Sequence, residues 1–211
     1  NETQISSGGL LTLSNQLTVN AVALVEINRV SPALIPAQGR SSLPDDSSAK
    51  ISSALPPLVF FLNSATEIKS LKTDFWFKIS WDSQEKQTRI IFENSNTEGR
   101  GITAWFEGTN NQTEINFGAF DHSAITEQAK ISFLPEKDMW YHLVFQADMA
   151  NKTLSLMLND QQTTVSLPDE IPFGNLVYFG SSGNRTNYAE GFIDDLAIEA
   201  NGQVLYEKNF N

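Results

Sequence analysis

Two tryptophans, Trp76 and Trp105, are the residues best suited to bind a ligand. Trp76 lies in the alternating stretch 70–81, and Trp105 lies in the stretch 101–107. In each stretch the residues on either side of the tryptophan belong to an apolar row that points the other way. Sugar rings present apolar C–H faces that match flat aromatic rings. The sequence therefore predicts that both tryptophans belong to a carbohydrate-binding platform, unless a loop covers them or a β-bulge inverts the assignment.

The polar loop 180–191 holds two further candidates, Arg185 and Tyr188. Sugar hydroxyls need hydrogen-bonding side chains around the aromatic platform. We therefore expect Arg185 and Tyr188 among the ligand-binding residues.

The acidic pair Asp194 and Asp195 lies in the apolar stretch 192–198. Adjacent residues of a regular strand point to opposite faces, so one carboxylate must face inward or lie at a bulge. An inward carboxylate needs a partner, because a buried unpaired charge is costly. Calcium is one such partner. Backbone amides or Arg185 are the alternatives.

The elements that carry these residues read as about a dozen short strands without a helix. The clearest hairpin joins two apolar runs within residues 138–158 through a polar connection. Residues 31–57, with five prolines, are predicted to be a long loop or insertion, and residues 121–130 a shorter loop. This pattern favours a single all-β domain over residues 1–211, folded as a two-sheet antiparallel β-sandwich.

Composition narrows the classes of partner. The net charge of −11 argues against nucleic acid and anionic membrane surfaces as partners, because both call for clustered Lys and Arg. No apolar run reaches membrane-spanning length. The chain has no cysteine, which excludes disulfides, zinc–thiolate sites and cysteine nucleophiles. We expect a bacterial surface or secreted protein, because a secreted eukaryotic domain often carries disulfides.

Several stretches together resemble the laminin-G-like, concanavalin A-like jelly rolls. They are Trp-Tyr-His at 140–142, the alternating leucine strand at 153–158, Phe-Gly-Ser at 179–181 and Gly-Phe-Ile-Asp-Asp-Leu at 191–196. The resemblance covers residues 75–198 and departs at 159–161, where many family members carry Asp-Gly. It implies a jelly roll with one concave sheet that often carries glycans, and a structural calcium near a late strand that contains aspartate.

Catalysis on such a fold has little support in the sequence. Glycosidases need two carboxylates at a defined separation, and no strand here carries acids at alternate positions. No strand combines the Arg, His, Gln and Tyr that lyases of this fold tend to use. His142 shares a strand face with Trp140, and no Gly-x-Ser-x-Gly elbow is present. A triad assembled by the fold stays open, because spacing alone does not test it.

These observations favour a non-catalytic carbohydrate-binding or adhesion module that is part of a larger extracellular protein. Two alternatives remain: a glycosidase or polysaccharide lyase on the same fold, and a calcium-dependent module that binds an extracellular protein. The fold by itself does not choose among the three.

Overall fold

The computed structural model describes residues 25–26 (backbone only), 48–62, 67–81, 86–108, 112–122, 124–181 and 187–208. These residues form fourteen strands and no helix. The strands are β1 (Val25–Glu26), β2 (Ala49–Ile51), β3 (Leu58–Phe61), β4 (Ser70–Ile79), β5 (Thr88–Ser95), β6 (Arg100–Gly108), β7 (Thr113–Asp121), β8 (Ala124–Phe133), β9 (Trp140–Asp148), β10 (Thr153–Leu158), β11 (Gln161–Ser166), β12 (Leu176–Phe179), β13 (Gly191–Ala200) and β14 (Gln203–Lys208).

Two antiparallel sheets pack face to face as a jelly-roll sandwich, as predicted. Sheet I has the strand order β1-β3-β12-β5-β6-β7-β8. Sheet II has the order β11-β10-β9-β4-β13-β14. The short strand β2 pairs with residues 191–193 of β13, and β14 pairs with residues 196–200 of the same strand. No helix long and apolar enough to cross a membrane occurs in the described ranges.

The core between the sheets is built largely from phenylalanines. Phe145 of sheet II contacts Phe117 of sheet I at 5.3 Å between ring centroids and Phe92 at 5.7 Å. Phe75, on the neighbouring strand of sheet II, reaches Phe179 of sheet I at 5.3 Å with the rings nearly perpendicular. Tilted and edge-to-face contacts of this kind add to the burial of apolar area. They hold the two sheets in one fixed arrangement.

The predicted hairpin is confirmed as β9 and β10. Leu154, Leu156 and Leu158 alternate inward and are at most 3% exposed. The next turn, at Asn159 and Asp160, leads directly into β11. Asn159 takes a positive φ of 51°, a conformation that asparagine tolerates better than most residues. The hairpin therefore continues as three adjacent strands despite the departure from Asp-Gly.

One loop prediction was wrong, and a second is corrected at three residues. Most of residues 121–130 belong to β8, an edge strand of sheet I whose side chains are mostly exposed. An edge strand with little to bury shows no clear apolar alternation, so sequence reasoning missed it. Within the predicted loop 31–57, residues 49–51 form β2; residues 31–47 of that prediction lie outside the described residues.

Candidate functional site

The side of sheet II that faces away from the core, here called the outer face, carries the most chemically varied side chains. Strand register arranges them in four rows across the sheet. The rows are Phe192–Lys78–Trp140, Asp194–Trp76–His142, Ala197–Asp74–Val144–Met157–Gln162 and Glu199–Lys72–Gln146–Ser155–Thr164. The residues that alternate with them along β4, such as Phe75 and Phe77, are fully buried in the core.

Trp76 lies near the centre of the outer face and is stacked on His142. The ring centroids are 5.0 Å apart and the planes differ by 18°. His142 Nε2 donates a hydrogen bond of 2.6 Å to Asp74 Oδ1, which fixes the imidazole. Asn159 Oδ1 also accepts from the backbone N–H of His142 at 2.9 Å. Trp76 as a residue is only partly buried.

Lys72 links the carboxylate of Asp74 to Glu199 on the neighbouring strand β13. Its ammonium lies 3.6 Å from Asp74 Oδ2 and 3.1 Å from Glu199 Oε1. Burial lowers the pKa of Lys72, but the hydrogen bonds and negative charges of Glu199 and Asp74 outweigh that effect and raise it overall. Lys72 is thus charged and already paired at neutral pH.

A shallow depression of about 280 Å³ lies beside the Trp76–His142 stack. Apolar and polar side chains line it together: Lys72, Asp74, Val144, Gln146, Ser155, Leu156, Met157 and Gln162. Ser155 Oγ is 2.8 Å from Thr164 Oγ1, and either hydroxyl can donate. Carboxylate, amide, hydroxyl and ammonium groups therefore surround a space next to an aromatic ring.

Lys78, in the row beyond Trp76, lies between two aromatic rings. Its Nζ is 5.5 Å from the centroid of Trp140 and 5.1 Å from that of Phe192. Both distances fall within the range of cation–π attraction. The sequence placed Lys78 and Trp76 on one face of β4. The rings that flank Lys78 come from β9 and β13, and their position beside it depends on the register of those strands with β4.

Asp194 and Asp195 lie at a β-bulge, as the sequence allowed. The register of β13 on β4 shifts by one residue between Asp194 and Ala197, and Asp195 takes a φ of 49°. Asp194 is 1% exposed, and its Oδ1 accepts a 2.9 Å hydrogen bond from the backbone N–H of Asp195. The bulge keeps Asp194 on the outer side, opposite Trp76, rather than in the core.

The bulge by itself does not supply a complete calcium site. Calcium takes six to eight oxygen ligands. No group of three or more acidic or imidazole side chains suited to a metal occurs in the part of the chain that the structure describes. Asp194 and Asp195 would supply two carboxylates, so calcium there stays a prediction.

Trp105 does not join Trp76. It lies on the side of sheet I that faces away from the core, so the two tryptophans occupy opposite sides of the sandwich. Trp105 is only 9% exposed. A Cβ added to Gly118 would lie 3.2 Å from its indole, which shows how closely the ring packs on that backbone. The two rings therefore cannot form a single platform.

Of the other two predicted contacts, Arg185 and Tyr188, the structure describes only Tyr188. Tyr188 forms a parallel bridge with Ile90 of β5, and Ile90 pairs with Trp105 of β6. Tyr188 therefore lies with sheet I. Arg185 lies outside the described residues. A binding role for these residues and for Trp105 stays a prediction.

A larger cavity of about 540 Å³ opens near the turn between β9 and β10. Its charged residues largely neutralise one another. Lys69 lies 2.8 Å from Glu67 and 3.7 Å from Glu170, and Arg100 lies 3.5 Å from Asp121. The outer face of sheet II is the stronger candidate, because it combines an oriented aromatic ring with accessible polar groups.

Solved structures with a similar fold come from several classes of protein. A heptameric SAP-like pentraxin from Limulus polyphemus matches with a TM-score of 0.53 and 14% identity, over 73% of this chain and 76% of that chain. Mouse laminin α1 domains LG4-5 match with a TM-score of 0.51 and 13% identity, over 80% and 44%. The binding domain of botulinum neurotoxin DC in complex with SialylT matches with a TM-score of 0.54 and 14% identity, over 84% and 41%. At these identities the likeness shows the fold alone.

No curated protein matches the sequence. A family model described as the concanavalin A-like lectin/glucanases superfamily matches residues 69–201, which is more than half of the chain. The matched region runs from the start of β4 to the end of β13 and includes all four rows of the outer face. The sequence match and the two-sheet fold agree, and the chain belongs to the concanavalin A-like lectin/glucanase superfamily.

Proposed function

We propose that this chain is a non-catalytic carbohydrate-binding or adhesion module that binds glycan on the outer face of sheet II. The observation that carries the proposal is Trp76, stacked on His142 beside a depression that polar and apolar side chains line together. A sugar ring stacks on the accessible part of the indole. Its hydroxyls then reach the polar groups of the depression.

We expect the binding site to be pre-organised for its ligand. Asp74 orients His142, and His142 orients Trp76, so little side-chain freedom is lost when a sugar binds. Gln146 and Gln162 can each donate and accept hydrogen bonds, which suits hydroxyl groups that do both. Stacking would supply affinity, and the amides would select among sugars.

Proteins of similar architecture support this choice. One similar structure is a toxin binding domain in complex with SialylT, and another concerns botulinum neurotoxin type C and its interaction with two ganglioside molecules. Mouse laminin α1, a third, represents laminin G-like domains. The matches cover 41% and 42% of those toxin chains, so the precedent is carbohydrate binding by proteins that contain this fold.

The expected setting is a secreted or surface protein, of bacterial origin, with further domains. The chain spans about two fifths of the toxin and laminin chains that it resembles, which fits a module of a larger protein. A single shallow site binds weakly, and linked copies would raise the effective affinity. A glycan or polysaccharide, and in second place an extracellular protein, is the expected partner.

A glycan array with the purified chain, run with calcium and again with chelator, tests the proposal. Trp76→Ala should weaken binding of any hit by about 30-fold, the effect of losing a binding hot spot of about 2 kcal/mol. Phe61→Ala is the matched control, because Phe61 is an aromatic residue of sheet I that is 36% exposed. Thermal unfolding of both variants checks that the fold is intact.

Other outcomes would favour the alternatives. New reducing ends in the incubation would establish a glycosidase, and unsaturated products a lyase. A blank array together with calcium-dependent binding to an extracellular protein would favour the protein-binding module. An unchanged glycan affinity in a folded Trp76→Ala variant would contradict the site.

A further inference from the structure

We propose that Lys78 makes the outer face selective for acidic saccharides, those that carry a carboxylate or sulfate group. This inference rests on the proposed function and adds the class of ligand. It starts from the position of Lys78, two residues from Trp76 on the same face of β4, about 7 Å along the strand. A sugar ring stacked on Trp76 therefore has substituents, or a neighbouring sugar, within reach of the ammonium.

The two flanking rings hold Lys78 in place. Trp140 and Phe192 lie opposite Lys78 on the two neighbouring strands, and the ammonium is within 5.5 Å of both ring centroids. A lysine side chain normally loses considerable rotamer freedom when it forms an ion pair. Because the rings already restrict Lys78, an incoming anion meets a cation that is largely ordered.

Lys78 also lacks an acidic partner among the residues that the structure describes. The other lysines of β4 and its start are paired: Lys72 with Asp74 and Glu199, and Lys69 with Glu67 and Glu170. Lys78 makes cation–π contacts only. In a chain of net charge −11, a partly buried lysine without a carboxylate partner offers a place for an external anion.

The acids of the outer face favour a ligand with one localised anionic group over a dense polyanion. Asp74 accepts a hydrogen bond from His142 and shares Lys72 with Glu199, whereas Asp194 lies beside Trp76 and is nearly inaccessible. A polyanion would also meet repulsion from the acidic chain as a whole. A single uronate or sulfated sugar next to a neutral stacked ring fits both the cation and its surroundings.

The experiment uses an array in which each uronate or sulfated oligosaccharide stands beside its carboxyl-reduced or desulfated form. We expect the acidic member of a pair to bind at least 10-fold more tightly, and this preference to weaken at high salt. Lys78→Met keeps the apolar stem but removes the charge, so it should reduce the preference to about 2-fold or less. Lys78→Arg, the matched control, should retain it. Lys78→Gln serves as a second neutral variant if Lys78→Met does not fold.

The outcomes separate this inference from the proposed function. Uronate hits without sulfated hits, or the reverse, would identify the anionic group. Binding of neutral glycans that needs Trp76 but shows no acidic preference would overturn the role of Lys78 and leave the function standing. The same holds if a folded Lys78→Met variant keeps the preference. A blank array would overturn both.

Discussion

Asn94 connects β5 to the segment that precedes β12, and its replacement gives a sharp test of the fold. The side chain is 0% exposed and makes three hydrogen bonds of 2.9 Å to main-chain groups. Its Nδ2 donates to the carbonyls of Gly174 and Leu176, and its Oδ1 accepts from the N–H of Gly174. Asn94→Ala removes all three bonds at once.

The expected loss follows from the groups left behind. Each buried polar group without a partner costs about 1–3 kcal/mol. Three such groups would cost about 3–9 kcal/mol, and water entering the vacated space reduces this toward the lower end. We expect a loss of about 3–4 kcal/mol, a large part of the roughly 5–15 kcal/mol that stabilises a typical domain. Asn94→Asp should not do better, because a carboxylate cannot donate to the two carbonyls.

Urea unfolding followed by tryptophan fluorescence measures the effect. Thr103→Val is the matched control, because Thr103 is also buried and donates a single hydrogen bond of 3.0 Å to the carbonyl of Phe92. It should cost about 1 kcal/mol. Equal denaturant slopes would show that the unfolded states are comparable. A loss below about 1 kcal/mol for Asn94→Ala, or a larger loss for Thr103→Val, would refute the reasoning.

Three further predictions concern backbone space, pH and calcium. Gly191→Ala places a Cβ 2.2 Å from a carbonyl oxygen of β4 and should unfold the domain or lower its melting temperature sharply. In the control Gly202→Ala the new Cβ has nothing within 4 Å, and the φ of 75° should cost only about 1 kcal/mol. Similar melting temperatures for the two variants would contradict this. A hydrogen bond from the backbone N–H of Asn151 lowers the pKa of Asp148 below its usual 3.8, so Asp148 stabilises the fold above pH 3.8 and loses this effect as the pH falls through its folded-state pKa. The difference in unfolding free energy between wild type and Asp148→Ala should therefore shrink below about pH 4. A constant difference down to about pH 2 in urea titrations would count against it. If the bulge binds calcium, added calcium should raise the melting temperature and Asp195→Asn should abolish the rise; a melting temperature that calcium and chelator leave unchanged would rule out the ion.

The structure separates the two tryptophans of the predicted platform, and the reason lies in strand pairing. Alternation along β4 and β6 placed both tryptophans away from the core, and the structure agrees for each. Alternation carries no information about which sheet a strand joins. Trp76 and Trp105 consequently fell on different sheets, and the neighbours of Trp76 that matter most, His142 above all, come from another strand.

The sequence by itself determined the fold class, the apolar rows of strands such as β4 and β10, and the outward direction of Trp76, because these depend on the period-two pattern within each strand. It left two alternatives for Asp194 and Asp195, an inward carboxylate or a β-bulge, and the structure shows the bulge. Only the tertiary structure decided that Lys78 lies between Trp140 and Phe192 and that Asp74 holds His142. Those contacts depend on register between strands far apart in the chain, which a one-residue shift would reverse.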